Sequence, residues 1–416
     1  MKRVTLFLIF VCVLFTLSVS AKTTIVYWQY FYQTKVDTIN QLIKEFEKLN
    51  PDIEVKQVTF PYENYNQKVA ASVPAGIGPD VINLFYGWLP MYVNSGYLQE
   101  LPKNEFNEKY FKDNFFPFVE ESVKFNNKYY SVPTAVRTLA LFWNKKLFKQ
   151  AGLDPEKPPK TLTEAVEMAK ILSKYDSKGN LLQAGFTMQP DGQHHHWIRE
   201  VLVRQFGGTP YSTDNKKVLY DKTGAAGEVL KWYTDRITKD KIGYPGFLND
   251  DVTAFKSQKA AMTIDGSFRI GTLNTVKDLE YGIAELPEHN GIKSNFASFW
   301  THAITTNAQG ERLTASIKFL KFITSKEAME LWLKNVGELP ANPEIANKYS
   351  EDKLYGPFLK GLAYAHATFF ADEVGQRNVI LEAIDKVRLN NTDPSVAFKE
   401  AADKEQKILD DFWASK

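Results

Sequence analysis

Apolar side chains along this chain hold one spacing for a dozen residues and then switch to another. Thr24 to Tyr30 reads as a strand. Val36 to Leu49 places Val36, Ile39, Leu42, Ile43 and Phe46 on one helical face, and Pro51 stops it. Ile53 to Val58 alternates as a second strand, and Tyr65 to Val73 predicts another helix. The turn Gly76-Ile77-Gly78-Pro79-Asp80 then opens onto a buried strand, Val81 to Phe85. Strand, helix, strand, helix, strand with apolar strands predicts an α/β fold in which helices cover a mostly parallel sheet on both faces.

The alternation returns in the middle of the chain. A helix is predicted over Leu162 to Leu172, after the Pro158-Pro159 break, with Thr161 as its cap. Further helices are predicted at Trp197 to Phe206, closed by Gly207-Gly208, at Thr223 to Thr234 and at Asp250 to Ser257. Ala260 to Ile264 reads as a buried strand opening onto Asp265-Gly266-Ser267, and Tyr281 to Ala284 as an exit strand. Ala303 to Thr305 begins a new strand-to-helix unit. Amphipathic helices follow at Glu311 to Ile323, Ser325 to Lys334, Leu354 to Ala363, Asn378 to Leu389 and Pro394 to Phe412.

The amino terminus adds an address. Lys2 and Arg3, the apolar run Val4 to Leu17 and the small residues Ser18-Val19-Ser20-Ala21 have the layout of a secretion signal cut after Ala21. The run is short for a membrane span. Taking 21 residues from 416 leaves 395, enough for two domains, and losing Lys2 and Arg3 brings the net charge from +2 to about zero. A neutral chain gives no electrostatic reason to expect nucleic acid or an anionic membrane as partner. The one cysteine, Cys12, lies inside the signal, preceded by Ile9-Phe10-Val11 rather than the small residues lipid attachment needs. The expected product is a soluble periplasmic protein without disulfides, working as a monomer.

Four stretches resemble one family. Leu139-Ala140-Leu141-Phe142-Trp143-Asn144 followed by Phe148 and Ala151-Gly152-Leu153, the turn Gly78-Pro79-Asp80-Val81, the segment Ala254 to Ser267, and Phe319 to Glu327 with Gly337-Glu338-Leu339-Pro340-Ala341 are similar to the solute-binding proteins of ABC importers. The likeness is to the sugar-binding class that includes maltose-binding protein, with Trp143 where a tyrosine is usual. The resemblance implies a type II periplasmic binding protein fold, two α/β lobes with the ligand between them. Crossings are expected near Tyr130 to Thr134, where Pro133 interrupts a strand, near Gly282 to Pro287 and near Gly337 to Pro343. On that plan the first lobe takes residues 22–131 and 284–336, and the second takes 132–283 and 337–416. The implied partners are a carbohydrate, of di- or oligosaccharide length, and the membrane permease subunits of the transporter.

Candidate ligand contacts cluster at strand ends. Trp28, Gln29 and Tyr30 close the first strand, where an aromatic face can cover a pyranose and an amide can bond hydroxyls; packing under a loop is the other use of such residues. Asp80 either accepts from sugar hydroxyls or fixes its own turn. Tyr86 and Trp88 follow the third strand, with Trp88 either a stacking platform or helix-start packing. Arg137 either donates to the ligand or forms a structural salt bridge. The family likeness places Asp265, Ser267 and Phe268, with Arg269 beside them, at the cleft. Phe299, Trp300 and His302 enter the strand returning to the first lobe, Trp300 as a stacking residue. Glu338 stands in a stretch that also serves as hinge, and His366, Phe369 and Phe370 are weaker candidates.

The run His194-His195-His196 draws attention, yet adjacent side chains do not converge on one metal, and no acidic partner stands at a ligand spacing. The expectation is no metal and no cofactor, with His195 hydrogen-bonding a sugar. The chain lacks a Gly-x-Ser-x-Gly elbow, a His-Glu-x-x-His pair and a Gly-x-x-x-x-Gly-Lys loop, so binding without catalysis is expected. Paired carboxylates are a spatial feature, so a secreted glycan hydrolase stays as the rival. Arg137, Arg269 and the histidines also leave open glycerol phosphate or another acidic polyol as ligand.

Overall fold

The computed structural model describes residues 22–415 except 223 and 224, so the expected signal at residues 1–21 lies outside the described residues. One curled mixed sheet organises the molecule. Thr23–Tyr30 pairs in parallel with both Ile53–Phe60 and Val81–Phe85. Asn295–Ile304 runs antiparallel to Val81–Phe85 on one side and to Ser131–Asn144 on the other. Met262–Gly266 and Tyr281–Ala284 then pair antiparallel with the far half of Ser131–Asn144, so the parallel pairing lies among the amino-terminal strands apart from the short Ala365–His366.

Ser131–Asn144 is the structural spine. Residues 131 to 138 lie against Asn295–Ile304, and from Leu139 onward the partner is Met262–Gly266. Leu339–Pro340 joins at Val136 and Ala135, and Ala365–His366 pairs with Asn295 and Phe296. Pro133 does not interrupt this strand as its sequence suggested. Ala135 faces Trp300 and Pro133 faces Thr301, so Thr134 is bulged out of register, and the irregular ladder accommodates the proline. Thr134 uses the bulge, donating from Oγ1 to the Ile323 carbonyl at 2.7 Å and standing 3.0 Å from His302 Nε2.

Three apolar cores fill the space around the sheet. Ile25, Tyr27 and Val81 meet helix Gln33–Leu49 through Ile39, Leu42 and Phe46, with Phe319 and Trp332 of the later helices Glu311–Ile323 and Lys326–Val336. The opposite face carries a larger core through Tyr86, Leu89, Phe111, Phe118 and Phe299. The third gathers Leu141, Phe148, Trp197, Tyr233, Ile380 and Phe398 around the far half of Ser131–Asn144.

Local signals placed several elements well. Leu162–Leu172 begins at Thr161 with a complete capping box, in which Glu164 bonds back to the cap. Elsewhere tertiary context moved the ends. The helix expected at Thr223 to Thr234 spans Glu228–Thr238; Gly227, at φ +76°, turns the chain into it, and Thr223 lies outside the described residues. Trp197 belongs to a segment already wound from Pro190, π-helical over Pro190–His194 and Trp197–Leu202 and α-helical over Val203–Gln205. Trp300 and His302 stand inside Asn295–Ile304 rather than at its entry. Short helices Glu108–Asn114 and Pro117–Val123 had no reading in the sequence. No helix among the described residues is long and apolar enough to cross a membrane.

Candidate functional site: a cleft across the shared strands

A cavity of about 270 Å³ opens where the two shared strands carry Arg137, Thr138, Ser298 and Trp300 on its floor. Tyr30, Tyr62 and Phe85 line the wall on the side of the amino-terminal strands. Asp191, Gln193, His195, His196, Phe268 and Phe296 line the other, with Glu373 and Arg377 from helix Glu373–Asn390 at one end.

The aromatic part is pre-packed. Tyr30 and Trp300 have ring centroids 4.2 Å apart, and Tyr62 stands edge-on to Tyr30 at 5.6 Å. Trp88 closes the cluster from behind, edge-on to Trp300 at 5.4 Å. Rings held this way offer an apolar face without losing side-chain entropy when a ligand arrives.

Beneath them sits a buried charge cluster. Lys35 Nζ at 3.0 Å and Arg137 Nε at 2.6 Å both reach Oε1 of Glu338, and the Trp332 indole N–H donates to Oε2 at 2.8 Å. Burial by itself would raise the Glu338 carboxyl; the adjacent Arg137 and Lys35 charges outweigh it and hold the group at about 2. Burial disfavours the Arg137 charge too, but Glu338 and the Tyr30 hydroxyl more than compensate and keep it above its ordinary value. Arg137 also lies over the Phe268 ring, 4.6 Å from its centroid. Close by, His302 stands between Tyr27 Oη at 3.2 Å and Thr134, and burial with the Lys35 charge lowers it to about 3, so its ring is neutral.

The wall at residues 190 to 196 is a wound segment kinked at Gly192, whose ψ of −123° is not helical. His196 stacks on Phe296 at 4.0 Å, and His195 lies 3.7 Å from His196, both buried. His194 turns away, bonding Tyr233 Oη at 3.1 Å with Asp251 3.4 Å from its other nitrogen. Among the described residues no group of three or more His, Cys, Asp or Glu side chains could hold a metal ion.

Five of the residues singled out in the sequence meet in this cleft: Tyr30, Arg137, His195, Phe268 and Trp300. Glu338 and Trp88 support it from below. The others stand elsewhere. Trp28 packs on Phe60 at 4.6 Å, and the buried Gln29 amide donates to Gln57. Asp80 fixes its turn, accepting from the Val26 N–H at 2.8 Å with Arg312 3.4 Å away. Asp265 holds Arg269 at 2.6 Å, and Ser267 is wholly buried. Tyr86 stacks on Phe299 at 4.8 Å and faces a separate cavity of about 460 Å³. His196 was noted only as part of the histidine run, and Tyr62, Phe296, Glu373 and Arg377 escaped the sequence reading. For the last two, the Asp372 cap followed by a Glu/Arg pair four residues apart was the available signal.

Two α/β lobes sharing strands, with a ring-lined cleft across the shared strands, have the fold of type II periplasmic binding proteins. Residues 41–356 match the family of bacterial extracellular solute-binding proteins, and the chain belongs to that family. The sn-glycerol-3-phosphate-binding periplasmic protein UgpB of Salmonella typhimurium is 24% identical over 95% of this chain and 94% of its own. The maltotriose-binding protein of Pyrococcus abyssi is 24% identical over 78% of this chain and 67% of its own. Among solved structures, the GacH receptor of Streptomyces glaucescens, described unliganded and with acarbose, superposes with a TM-score of 0.80 at 22% identity, covering 94% of this chain and 99% of that one.

Proposed function

We propose that this protein captures a carbohydrate in the cleft and presents it to the membrane permease of an ABC importer, releasing it unaltered. The observation that carries the reading is the close-packed Tyr30–Trp300 pair beside polar groups on both walls, on a fold whose solved relatives include proteins with acarbose and with maltose bound. Ring faces suit the C–H face of a pyranose, while amide, hydroxyl and imidazole groups suit its hydroxyls. A cavity of about 270 Å³ suits a short saccharide. Binding shifts the lobes toward the closed population because the guest touches both walls only then.

The protein works in the periplasm as a monomer, delivered there by the signal at residues 1–21. Lobes of 22–131 with 284–336 and 132–283 with 337–416 stand as the division. The change of strand partner at Thr138 and Leu139 supports a first crossing a few residues beyond Thr134. The test is calorimetry of the mature chain against neutral and phosphorylated sugars and polyols, with product analysis of the same mixtures. Heat of binding with the guest recovered intact is the expected result. A cleaved guest would establish the hydrolase instead, and no binding anywhere in the set would remove the receptor reading.

A further inference from the structure

The charges around the cleft balance, and each cation there contacts a carboxylate, with Glu338 shared by two of them. On its surface, Arg377 Nη1 lies 3.2 Å from Glu373 Oε1, and Arg137 is held by Glu338 beneath. Behind Phe268, Arg269 is held by Asp265 at 2.6 Å, and Lys35 shares Glu338. Asp191 is the remaining charge on the lining, and its carboxylate accepts from the Gln189 amide at 2.5 Å. Lining residues Arg137, Arg377, Asp191 and Glu373 therefore sum to zero, and so do Lys35, Arg269, Glu338 and Asp265 behind them. A phosphate entering here meets no cation free of a carboxylate, and Asp191 and Glu373 repel it.

The histidines make the complementary case. His195 is 4% exposed, lines the cavity, and makes no well-formed hydrogen bond at either ring nitrogen, although the Pro190 and Gly192 carbonyls lie nearby. His196 Nδ1 is likewise without a partner. Burial and the Arg199 and Arg377 charges keep both rings neutral. A neutral imidazole offers one donor and one acceptor, the same pair a hydroxyl offers in return, whereas a phosphate dianion wants donors alone. A buried ring without hydrogen bonds also penalises a guest that cannot supply them.

We infer that the cleft selects an uncharged polyhydroxylated guest over phosphorylated polyols, and that His195 is a specificity-determining contact to one of its hydroxyls. The inference rests on the receptor reading above and parts company with the glycerol phosphate ligand of the relative that aligns over 95% of this chain.

Isothermal titration of the mature protein with glucose, maltose, mannobiose and maltotriose, against glucose 6-phosphate, sn-glycerol 3-phosphate and inorganic phosphate at matched ionic strength, tests it. The expected result is binding by at least one neutral sugar, with the phosphorylated probes at least roughly a hundredfold weaker. His195→Gln and His195→Phe should each weaken that sugar roughly tenfold, with the melting transition of the unliganded protein preserved in at least one of them. Equal or tighter binding of a phosphorylated probe overturns the charge argument and leaves the receptor reading standing. Unchanged affinity in a folded His195 variant overturns the role of that ring. No binding by any probe removes the receptor reading and this inference with it.

Discussion

Replacing Glu338 by Gln keeps its shape and leaves Lys35 and Arg137 facing each other without a counter-charge. Two routes give the cost. The carboxyl stands at about 2 in the fold against 4.5 for an ordinary glutamate. At ~1.36 kcal/mol per decade that difference corresponds to roughly 3 kcal/mol. Breaking a buried ion pair from one side costs about 3–5 kcal/mol in general, in agreement. Unfolding entropy of ~2.1 cal/mol/K per residue, over roughly 390 described residues, is about 0.8 kcal/mol/K. A loss of 3–5 kcal/mol therefore lowers the melting temperature by roughly 4–6 °C.

The pH dependence gives a second signature. A carboxyl whose folded value is depressed stabilises fully above its unfolded value and loses that contribution as pH falls toward the folded one. Here the window runs from 4.5 down to about 2. Thermal melts of wild type and Glu338→Gln, followed by circular dichroism from pH 7 to pH 3, should show a gap that shrinks by more than half across that range. A gap below 1 °C at pH 7, or one of the same size at both ends, refutes the assignment of Glu338 as the charged keystone of the shared strands.

Three other outcomes follow from the packing. Trp88 and Trp300 are buried in one aromatic cluster, so truncating either to Ala should cost about 3–5 kcal/mol of stability along with affinity; the half-buried Phe268→Ala separates the two, with weaker sugar binding by calorimetry and an unchanged melt. His302 stands at about 3 against 6.5 for a free histidine, so its stabilising contribution is present above 6.5 and is lost as pH falls toward 3. Urea titrations should show wild type losing roughly 1.5 kcal/mol more than His302→Gln between pH 6.5 and pH 5. Thr161→Ala removes the cap of Leu162–Leu172 and should lower the urea midpoint by the equivalent of about 1 kcal/mol.

What could be read from the sequence divides by the range of the interaction. Leu162–Leu172, Tyr281–Ala284 and Glu311–Ile323 came out with the ends observed, because apolar period and terminal residues are local signals. Ser131–Asn144 did not appear as one strand, because a proline looks like a break until the bulge opposite Trp300 is known. The kinked winding before Trp197 leaves no period to detect, and it is packed through contacts such as His196 on Phe296, one hundred residues away in the chain.

The same division runs through the cleft and governs what it can bind. Tyr30 was legible because an aromatic at a strand end signals itself, whereas Trp300, expected at a strand entry, stands inside its strand. Arg137 was legible as a cation, but whether it serves a ligand or a salt bridge depended on Glu338, 201 positions along the chain. That one pairing reverses the chemical reading of the residue. An unpaired Arg137 would favour an anion in the cleft, whereas here the arginine already contacts Glu338, which it shares with Lys35, and lies over the Phe268 ring. Identity of 24% with a glycerol phosphate receptor carries the fold across and leaves such pairings to be settled residue by residue. The guest is therefore decided less by which charged residues line the cleft than by which carboxylate each of them already holds.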